Sequence, residues 1–221
     1  MLYIVATPIG NLGDITLRAI EVLKTVDVVA AEDTRHSGIL LKHLGIKKPF
    51  VSFHEHNEAT RTPELVEGLA RGENVALITD AGTPGVSDPG FRLIRECIKR
   101  EVAFTIIPGP SSVLTALVGS GFSTDKFSFG GFLPVKSGQR ERELRAAAER
   151  DETTIFFESP YRLIKTLVAC TEVMPDRQLC VARELTKKFE EFRRGTAADL
   201  LAHYQAHPPK GEIVFVISSS E

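Results

Sequence analysis

Short apolar runs alternate with amphipathic stretches over the first 118 residues of the chain. Five of these runs have the length and composition of buried strands, and the segments between them have helical spacing. This alternation is typical of βαβ units, in which helices cover both faces of a parallel sheet. The predicted strands are 2–6, 27–31, 50–54, 75–79 and 103–107.

Helix start signals follow several of these runs. Thr16 is placed to cap a helix with Leu17, Ile20 and Leu23 on its apolar face. A second helix is predicted over 37–44, and Pro63 is predicted in the first turn of a third, where its missing N–H costs no hydrogen bond. A small apolar helix is predicted over 113–118.

The spacing changes after Gly119, where a segment rich in Gly and Ser precedes strands with a different arrangement. We therefore predict a parallel α/β domain over 1–119 and a mixed-sheet α+β domain over 120–221. The apolar runs of the second domain are 127–132, 154–158, 179–184, 189–194 and 213–218, with a charged helix over 137–151. The third and fourth runs are too close for a crossover helix, so they are predicted to form a hairpin.

Loops of Gly, Pro and small polar residues follow three strands of the first domain, at 7–14, 80–90 and 108–112. Ligands of open α/β sheets bind beyond the carboxyl ends of the strands. Small residues let the backbone approach a ligand and present its N–H and C=O groups. One such loop is explained equally well as a tight turn, but three at successive strand ends predict a single pocket lined by backbone.

Composition excludes several classes of protein. With 43% hydrophobic and 25% charged residues, the chain of 221 residues is typical of a soluble globular protein. We expect it in the cytoplasm, because no apolar stretch is long enough for a membrane span and the N-terminus lacks a leader pattern. Cys97, Cys170 and Cys180 lack metal-ligand spacing and are expected to be buried, reduced thiols. The net charge of −2 means that an RNA partner needs a local basic patch.

Motifs of several common enzyme classes are absent from the sequence. There is no Gly-x-Gly-x-x-Gly and no P-loop, which argues against a nicotinamide enzyme or a P-loop NTPase. The segment 54–56 lacks the helical His pair of a zinc peptidase, and we expect no metal. Ser111 and Ser112 do not lie in a nucleophile elbow. The pocket is therefore predicted to bind its ligand without covalent chemistry.

Seven longer motifs extend across nearly the whole chain, at 5–14, 31–35, 52–57, 79–90, 108–112, 157–162 and 183–187. Together they resemble the ribosomal RNA small subunit methyltransferase I group of the tetrapyrrole methylase superfamily. The resemblance implies a tetrapyrrole methylase-like α/β fold, a homodimer, and S-adenosylmethionine in a cleft between two domains. It also implies 2′-O-methylation of a cytidine in the decoding region of 16S rRNA, as naked rRNA or in the 30S subunit.

The resemblance also implies a set of cofactor contacts. Those in the first domain are Pro8, Ile9, Gly10, Asp80, Gly82, Thr83, Val86, Ser111 and Ser112, and those in the second are Phe157, Ala182, Gly211 and Glu212. The first two loops depart from the Gly-rich and Gly-Asp-Pro patterns of tetrapyrrole-methylating relatives, and Asp80 is expected to take the place of an acid near Thr83. Members of the RNA group often continue into a C-terminal extension, which is expected to help hold RNA.

The candidate catalytic residues lie on motifs of the second domain: Glu158, Arg183 and Lys187. A ribose hydroxyl is a weak acid, so a general base is expected to contribute roughly 10²–10⁴-fold to the rate. Glu158 or Lys187 is the predicted proton acceptor, although Glu158 is equally well placed to cap the following helix. The basic pairs at 187–188 and 193–194 fit either a solvated sheet edge or an RNA clamp.

Two other functions remain open from the sequence. The substrate could be a tetrapyrrole such as a corrin precursor, although both glycine loops depart from that pattern. A noncatalytic RNA-binding module on the same scaffold is the second alternative, which the net charge and the lack of interleaved aromatic residues disfavour.

Overall fold

A computed structural model describes residues 1–220. Contacts divide the chain into two units, of which the first is Met1–Ser111 and the second begins at Ser112. Each unit contains one five-stranded sheet. No helix among residues 1–220 combines the length and the apolar character that a membrane crossing needs.

The sheet of the first unit is entirely parallel, with the strand order β3-β2-β4-β1-β5. Its strands are β1 Leu2–Val5, β2 Val28–Ala31, β3 Phe50–Ser52, β4 Val75–Ile78 and β5 Phe104–Ile107. Its helices are α1 Leu17–Thr25, α2 Thr34–His43, α3 Glu58–Ala70 and α4 Phe91–Lys99. The predicted parallel sheet is confirmed.

Apolar residues fill both faces of this sheet, as the continuous runs predict for a buried parallel strand. Leu2 and Ile4 of β1 lie in a cluster with residues of α3 and α4. Val5 lies in a separate cluster with Leu23 and Leu41, on α1 and α2. Each such side chain contributes about 1.5–3 kcal/mol when fully buried, so the two clusters fix the sheet and with it the loops at its edge.

Helix starts agree with the sequence in one case and differ in two. The Thr16 side chain accepts a hydrogen bond from the Ala19 N–H and caps α1, as predicted. The prediction of Leu17 on the buried face is wrong, because Leu17 is the first residue of the helix and its side chain is exposed. Helix α2 begins at Thr34, earlier than predicted, because the Asp33 carboxylate caps it. The position predicted for Pro63 is wrong: it lies inside α3, which begins at Glu58.

The early start of α3 has a physical cause in the turn that precedes it. The His54 carbonyl accepts hydrogen bonds from the N–H groups of Asn57 and Glu58, which begins the helical path five residues before Pro63. The missing proline N–H would have bonded the carbonyl of Ala59. Ala59 is exposed, so water can satisfy that carbonyl.

The second unit has a mixed sheet with the order β6-β7-β10-β8-β9. Its strands are β6 Phe127–Phe132, β7 Thr153–Glu158, β8 Leu179–Arg183, β9 Glu191–Gly195 and β10 Ile213–Ile217. Its helices are α5 Ser112–Ser120, α6 Ser137–Ala148, α7 Leu163–Val173 and α8 Ala197–Ala206. Only β6 and β7 pair in parallel, and the predicted β8–β9 hairpin is confirmed.

Helix α5 lies in the second unit, so the contacts divide the chain after Ser111 rather than at the boundary predicted after residue 119. A Cβ on Gly119 would overlap the Phe192 ring, so the end of α5 touches β9 directly. The Arg194 Nε donates to the Ser120 carbonyl at 2.6 Å and satisfies one of the orphan carbonyls of that helix end. The composition change at Gly119 therefore marks the end of α5 within the second unit.

Candidate functional site

The three predicted loops follow β4, β1 and β5, which are neighbours in the sheet of the first unit. The loops after β1 and β4 are joined by a short bridge: the Thr7 N–H donates to the Gly82 carbonyl at 2.9 Å, and the Gly82 N–H donates to the Thr7 carbonyl at 3.1 Å. The Thr7 hydroxyl also donates to the Thr79 carbonyl at 3.0 Å. The first two loops are therefore held together by backbone hydrogen bonds.

The third loop meets the other two at Gly82 and Gly109. A Cβ on Gly82 would lie 3.7 Å from Ile9 Cγ2 and 3.9 Å from the Pro110 carbonyl oxygen. A Cβ on Gly109 would lie 3.0 Å from the Ala6 Cβ. Gly82 also has a φ of +75°, a conformation that L side chains rarely adopt. The predicted convergence of three backbone loops is present in the structure.

The loop after β4 is closed on itself and anchored from α3. The Gly85 N–H donates to the Pro89 carbonyl at 3.1 Å. The buried Glu58 carboxylate accepts from the N–H groups of Gly90 and Arg92, at 3.1 and 3.0 Å, and so caps the start of α4. This carboxylate takes the place of the missing side-chain cap at Gly90, and it fixes the end of the loop.

Three carboxylates gather beside these loops. The Asp80 N–H donates to Glu32 at 3.4 Å, and Asp80 Oδ1 accepts from the Asp33 N–H at 3.2 Å. Asp88 accepts a hydrogen bond from the Thr79 side chain and lies close enough to Glu32 and Asp80 for their charges to raise its pKa. We call Glu32, Asp80 and Asp88 the acidic group.

Burial and mutual repulsion raise the pKa of two carboxyls of the acidic group, Glu32 and Asp88. Burial is the main cause that raises the pKa of Asp88 to about 6, and the neighbouring charge of Glu32 adds to it. Burial also raises the pKa of Glu32, with a further contribution from the charge of Asp80. Like charges in a partly buried site disfavour ionisation, so a cation bound here would be stabilised by all three carboxylates.

His54 completes this edge of the sheet, at the end of β3. The Asn57 Nδ2 lies 3.1 Å from His54 Nε2, and because the amide nitrogen is a donor, Nε2 accepts and the ring proton is assigned to Nδ1. That Nδ1 is buried and has no hydrogen-bond partner among the described residues. An electrostatic interaction with His54 lowers the pKa of Glu32, so the His54 side chain lies near the acidic group.

The second-unit candidates form a different kind of cluster, built from ion pairs. Lys187 Nζ lies 2.9 Å from Glu184 Oε1 and 2.9 Å from Glu212 Oε2. The Glu212 N–H donates to Glu184 Oε1 at 3.1 Å, and a Cβ on Gly211 would overlap the Glu184 carboxylate. Three of the predicted residues, Lys187, Gly211 and Glu212, therefore lie together, and Gly211 adopts a φ of +85° to allow it.

The charge of Lys187 follows from this arrangement. Burial lowers its pKa, but the hydrogen bonds to Glu212 and Glu184 outweigh burial, and the net pKa is raised above that of an ordinary lysine. Lys187 is therefore an ammonium ion at neutral pH. An ammonium donates hydrogen bonds and does not accept a proton.

Arg183 and Ala182 lie beside this cluster on β8. The Arg183 Nε donates to Glu191 at 3.1 Å, and its Nη1 donates to the Lys210 carbonyl at 3.2 Å. Ala182 is paired in register with Val214 of β10. Arg183 thus ties the segment before β10 to the hairpin that carries Lys187.

Glu158 is the most enclosed of the candidates, with a side chain that is 0% exposed. Its carboxylate accepts from the Ser159 N–H at 2.7 Å and from the Thr166 hydroxyl at 2.5 Å, and it pairs with Arg162 at 2.8 Å. The adjacent Phe157 packs edge-on against the rings of Phe129 and Phe132. Glu158 therefore holds the turn before α7 and the Thr166 side chain, but it does not form the helix cap that the sequence offered as the alternative.

Sequence reasoning missed two members of the acidic group, Glu32 and Asp88. Both lie inside the motifs 31–35 and 79–90, but nothing in the linear pattern separates them from solvated loop acids. Their burial and their approach to Asp80 exist only in the folded sheet. The three thiols are buried, and no group of His, Cys, Asp and Glu within residues 1–220 has the geometry to hold a metal ion.

Comparison with known proteins places this arrangement in a family. The family model of tetrapyrrole (corrin/porphyrin) methylases matches residues 1–201. A protein named ribosomal RNA small subunit methyltransferase I from Synechocystis sp. is 48% identical over the whole chain and is covered over 79% of its own length. Proteins of the same name from Mesorhizobium japonicum and Thermotoga maritima are 52% and 44% identical, covered over 76% and 99% of their lengths.

Two solved structures have the same fold. A uroporphyrin-III C-methyltransferase from Thermus thermophilus aligns with a TM-score of 0.68 and 21% identity, over 98% of this chain and 93% of that one. A diphthine synthase aligns with a TM-score of 0.75 and 15% identity, over 99% and 89%. At these identities the likeness establishes the fold alone.

Proposed function

The chain belongs to the tetrapyrrole methylase family, and from this premise we propose that it is an S-adenosylmethionine-dependent methyltransferase of small-subunit ribosomal RNA that methylates the 2′-oxygen of a cytidine in the decoding region. One observation carries the substrate: identity near one half extends over the full chain to relatives named for that rRNA. Family members use S-adenosylmethionine as the methyl donor. We further propose that the enzyme works in the cytoplasm as a homodimer.

The first unit suits that cofactor chemically. S-adenosylmethionine supplies an activated methyl group on a sulfonium, and the other end of its methionine part carries both an ammonium and a carboxylate, so the methionine part has one net positive charge. The acidic group and the backbone carbonyls of the three loops offer negative potential to such a ligand. The proposed contacts in this unit are Pro8, Ile9, Gly10, Asp80, Gly82, Thr83, Val86 and Ser111, to which we add Asp88.

Residues of the second unit have separate proposed roles. Ser112, Phe157, Ala182, Gly211 and Glu212 are proposed as its cofactor contacts. Lys187 is proposed to place its positive charge beside the attacking ribose oxygen, which lowers the pKa of that hydroxyl, so that its proton passes to solvent as the oxygen takes the methyl group and neutral S-adenosylhomocysteine leaves. Arg183 and Glu158 are proposed as positioning residues, because their contacts hold the hairpin and the start of α7.

Alignment is the main contribution that the protein can make to an in-line methyl transfer. Holding the two reactants in line in a site without water is worth up to roughly 7–11 kcal/mol in favourable intramolecular models. The loops are suited to this task, since they are fixed by the Thr7–Gly82 bridge and the Glu58 cap rather than by mobile side chains.

The test is incubation with labelled S-adenosylmethionine and three acceptors in parallel: 30S subunits, naked 16S rRNA and a corrin precursor. We expect label in 2′-O-methylcytidine, measured by nucleoside mass spectrometry. Label on a cytidine base would leave an rRNA methyltransferase but overturn the 2′-O position. Label only in the corrin, or no binding of S-adenosylmethionine in calorimetry, would overturn the proposal as a whole.

Lys187 is tested by comparing Lys187→Ala with Lys187→Arg. We expect the alanine variant to lose about 100-fold or more in kcat, while the affinity for S-adenosylmethionine stays unchanged. The arginine variant keeps the charge and is expected to retain more activity. Equal kcat in both variants and the parent would remove Lys187 from the mechanism.

A further inference from the structure

Two helices of the second unit begin at the same edge of its sheet. Strands β6 and β7 pair in parallel, with Phe132 opposite Phe157, so their carboxyl ends lie side by side. Helix α6 follows β6 through the loop 133–136, and α7 follows β7 through 159–162. The positive ends of two helix dipoles therefore meet at this edge.

Neither helix is capped by a side chain. The residues at the N-cap positions are Lys136 and Arg162, and neither makes a capping hydrogen bond. A basic residue is unfavourable here, because the dipole favours negative charge at a helix N-terminus. A Cβ on Gly138, in the first turn of α6, would meet nothing within 4 Å, so the start of α6 is open to a small ligand.

Two guanidinium groups bond the same short loop. Arg140 is only 6% exposed, and its Nη1 donates to the Val135 carbonyl at 3.3 Å, which bends the side chain back to the start of α6. Its Nε is buried without a hydrogen-bond partner among residues 1–220. The Arg162 Nη1 donates to the Leu133 carbonyl at 2.8 Å.

Glu158 forms a direct ion pair with only one of the two guanidinium groups, that of Arg162. Glu158 is occupied by Arg162, the Ser159 N–H and the Thr166 hydroxyl. Arg140 forms no ion pair within the described part of the chain. A buried charge without a partner is costly. An oxyanion bound here would pair with the Arg140 guanidinium and accept hydrogen bonds from the N–H groups at the two uncapped helix starts.

An exposed aromatic side chain borders this place. Tyr161 precedes Arg162 directly and is 92% exposed, and Val135 and Phe132 on the neighbouring loop and strand are also exposed. Exposed aromatic and apolar side chains next to positive charge are typical of surfaces that bind single-stranded nucleic acid. On such surfaces a base stacks on an aromatic ring and a backbone phosphate pairs with a basic side chain.

We propose that the edge formed by the starts of α6 and α7 is an RNA subsite, in which Arg140, Lys136 and the α6 N-terminus bind one backbone phosphate and Tyr161 stacks on a neighbouring base. This proposal rests on the proposed function, since it takes rRNA as the substrate. It supplies the local basic patch that the net charge of −2 requires of any RNA partner.

The test uses filter binding of the full chain to labelled 16S rRNA over a range of KCl concentrations. Lys136→Glu is compared with Arg145→Glu, which makes the same charge change at the other end of α6, where residue 145 is exposed. We expect Lys136→Glu to lose about tenfold in affinity and to reduce the slope of log K against log salt by about 0.7–0.9. Arg145→Glu is expected to stay within about twofold of the parent, as an exposed charge away from the phosphate.

Tyr161→Ala separates stacking from charge. We expect a loss of about tenfold in affinity with an unchanged salt slope, because stacking releases no counterions. Equal effects of Lys136→Glu and Arg145→Glu, or an unchanged affinity in Tyr161→Ala, would overturn the subsite.

Arg140→Met gives a readout that does not depend on RNA. If the guanidinium is unpaired in the free protein, its apolar replacement is expected to leave the Tm unchanged or higher, and a stabilisation of the parent by inorganic phosphate is expected to disappear. A large loss of stability would show that Arg140 is satisfied within the fold and would overturn the proposal. If phosphate stabilises the parent chain but Arg140→Met binds rRNA as tightly as the parent does, the proposal is also overturned, in favour of a site for small anions.

Failure of the subsite is distinguishable from failure of the proposed function. If the parent chain methylates 30S subunits while Lys136→Glu and Tyr161→Ala have the parent's KM, only the subsite is wrong. If the parent methylates no rRNA and binds none, the proposed function and the subsite both fall.

Discussion

The two units build their candidate sites from different materials. In the first unit, the site is made of backbone: three loops joined by the Thr7–Gly82 bridge, with a partly buried acidic group beside them. In the second unit, the candidates are held by side-chain ion pairs, around Glu158 and around Lys187. Backbone loops fix geometry and tolerate surface changes, whereas an ion-pair cluster depends on each of its charges.

The largest expected effect tests the ion pairs. Glu158→Ala leaves Arg162 and Thr166 without their buried partner, so we expect a loss of about 3–5 kcal/mol in the free energy of unfolding, measured by urea denaturation. Glu172→Ala, at an exposed position near the end of α7, is the control and is expected to cost less than about 0.5 kcal/mol. Equal losses would mean that the buried pair has no special role.

The second test addresses the acidic group. Asp88→Asn removes a charge that a bound cation would pair with, and we expect the affinity for S-adenosylmethionine to fall about tenfold or more, measured by calorimetry. Asp125→Asn, which makes the same change at an exposed position, serves as the control. An unchanged affinity in Asp88→Asn would show that the acidic group is not part of the cofactor site.

The same carboxyl gives a pH dependence with a defined sign. The pKa of Asp88 is about 6 in the fold against 3.8 in its ordinary state, so the group favours the folded state fully below about pH 4, and this contribution is lost as the pH rises through 6. We expect Asp88→Asn to remove this part of the pH dependence of Tm. Cofactor affinity is expected to change in the opposite direction and to weaken below about pH 6, because the neutral acid no longer attracts a cation.

The third test separates backbone conformation from the site. Gly82→Ala and Gly45→Ala both place a side chain at positive φ, +75° and +68°, with no severe overlap at either position. Each is expected to cost about 1–2 kcal/mol of stability. Only Gly82→Ala is expected to weaken S-adenosylmethionine binding as well, and equal cofactor affinity in the two variants would contradict the role of the loops.

The smallest expected effect concerns the exposed partner of Lys187. The Glu212 side chain is 76% exposed, so Glu212→Gln is expected to change the unfolding free energy by less than about 1 kcal/mol. Glu184→Gln removes the more enclosed partner, which also accepts from the Glu212 N–H, and is expected to cost more. The reverse order, measured in the same denaturation experiment, would mean that the exposed pair dominates the cluster.

Much of the fold follows from the sequence. The ten strands are present near their predicted places, because continuous apolar runs suit a parallel sheet covered on both faces and the short 184–191 connection permits only a hairpin. The start of α3 could not be predicted in this way, because a hydrogen-bonded turn at His54 begins the helix before Pro63. Likewise, the composition change at Gly119 places α5 in the first domain, whereas the helix packs against β10, β8 and β9 and so belongs to the second unit.

The sequence by itself determined the strand-and-loop order, the three glycine loops and the family, since these depend on local patterns and on motifs that are contiguous in the chain. The tertiary structure alone decided which charges are paired. It brought Glu32, Asp80 and Asp88 together at one sheet edge. It also placed Glu158 in an ion pair with Arg162, whereas Arg140 forms no ion pair among the described residues. The physical reason is that a charge acquires its energy from burial and from its neighbours in space, which the linear order of residues does not contain.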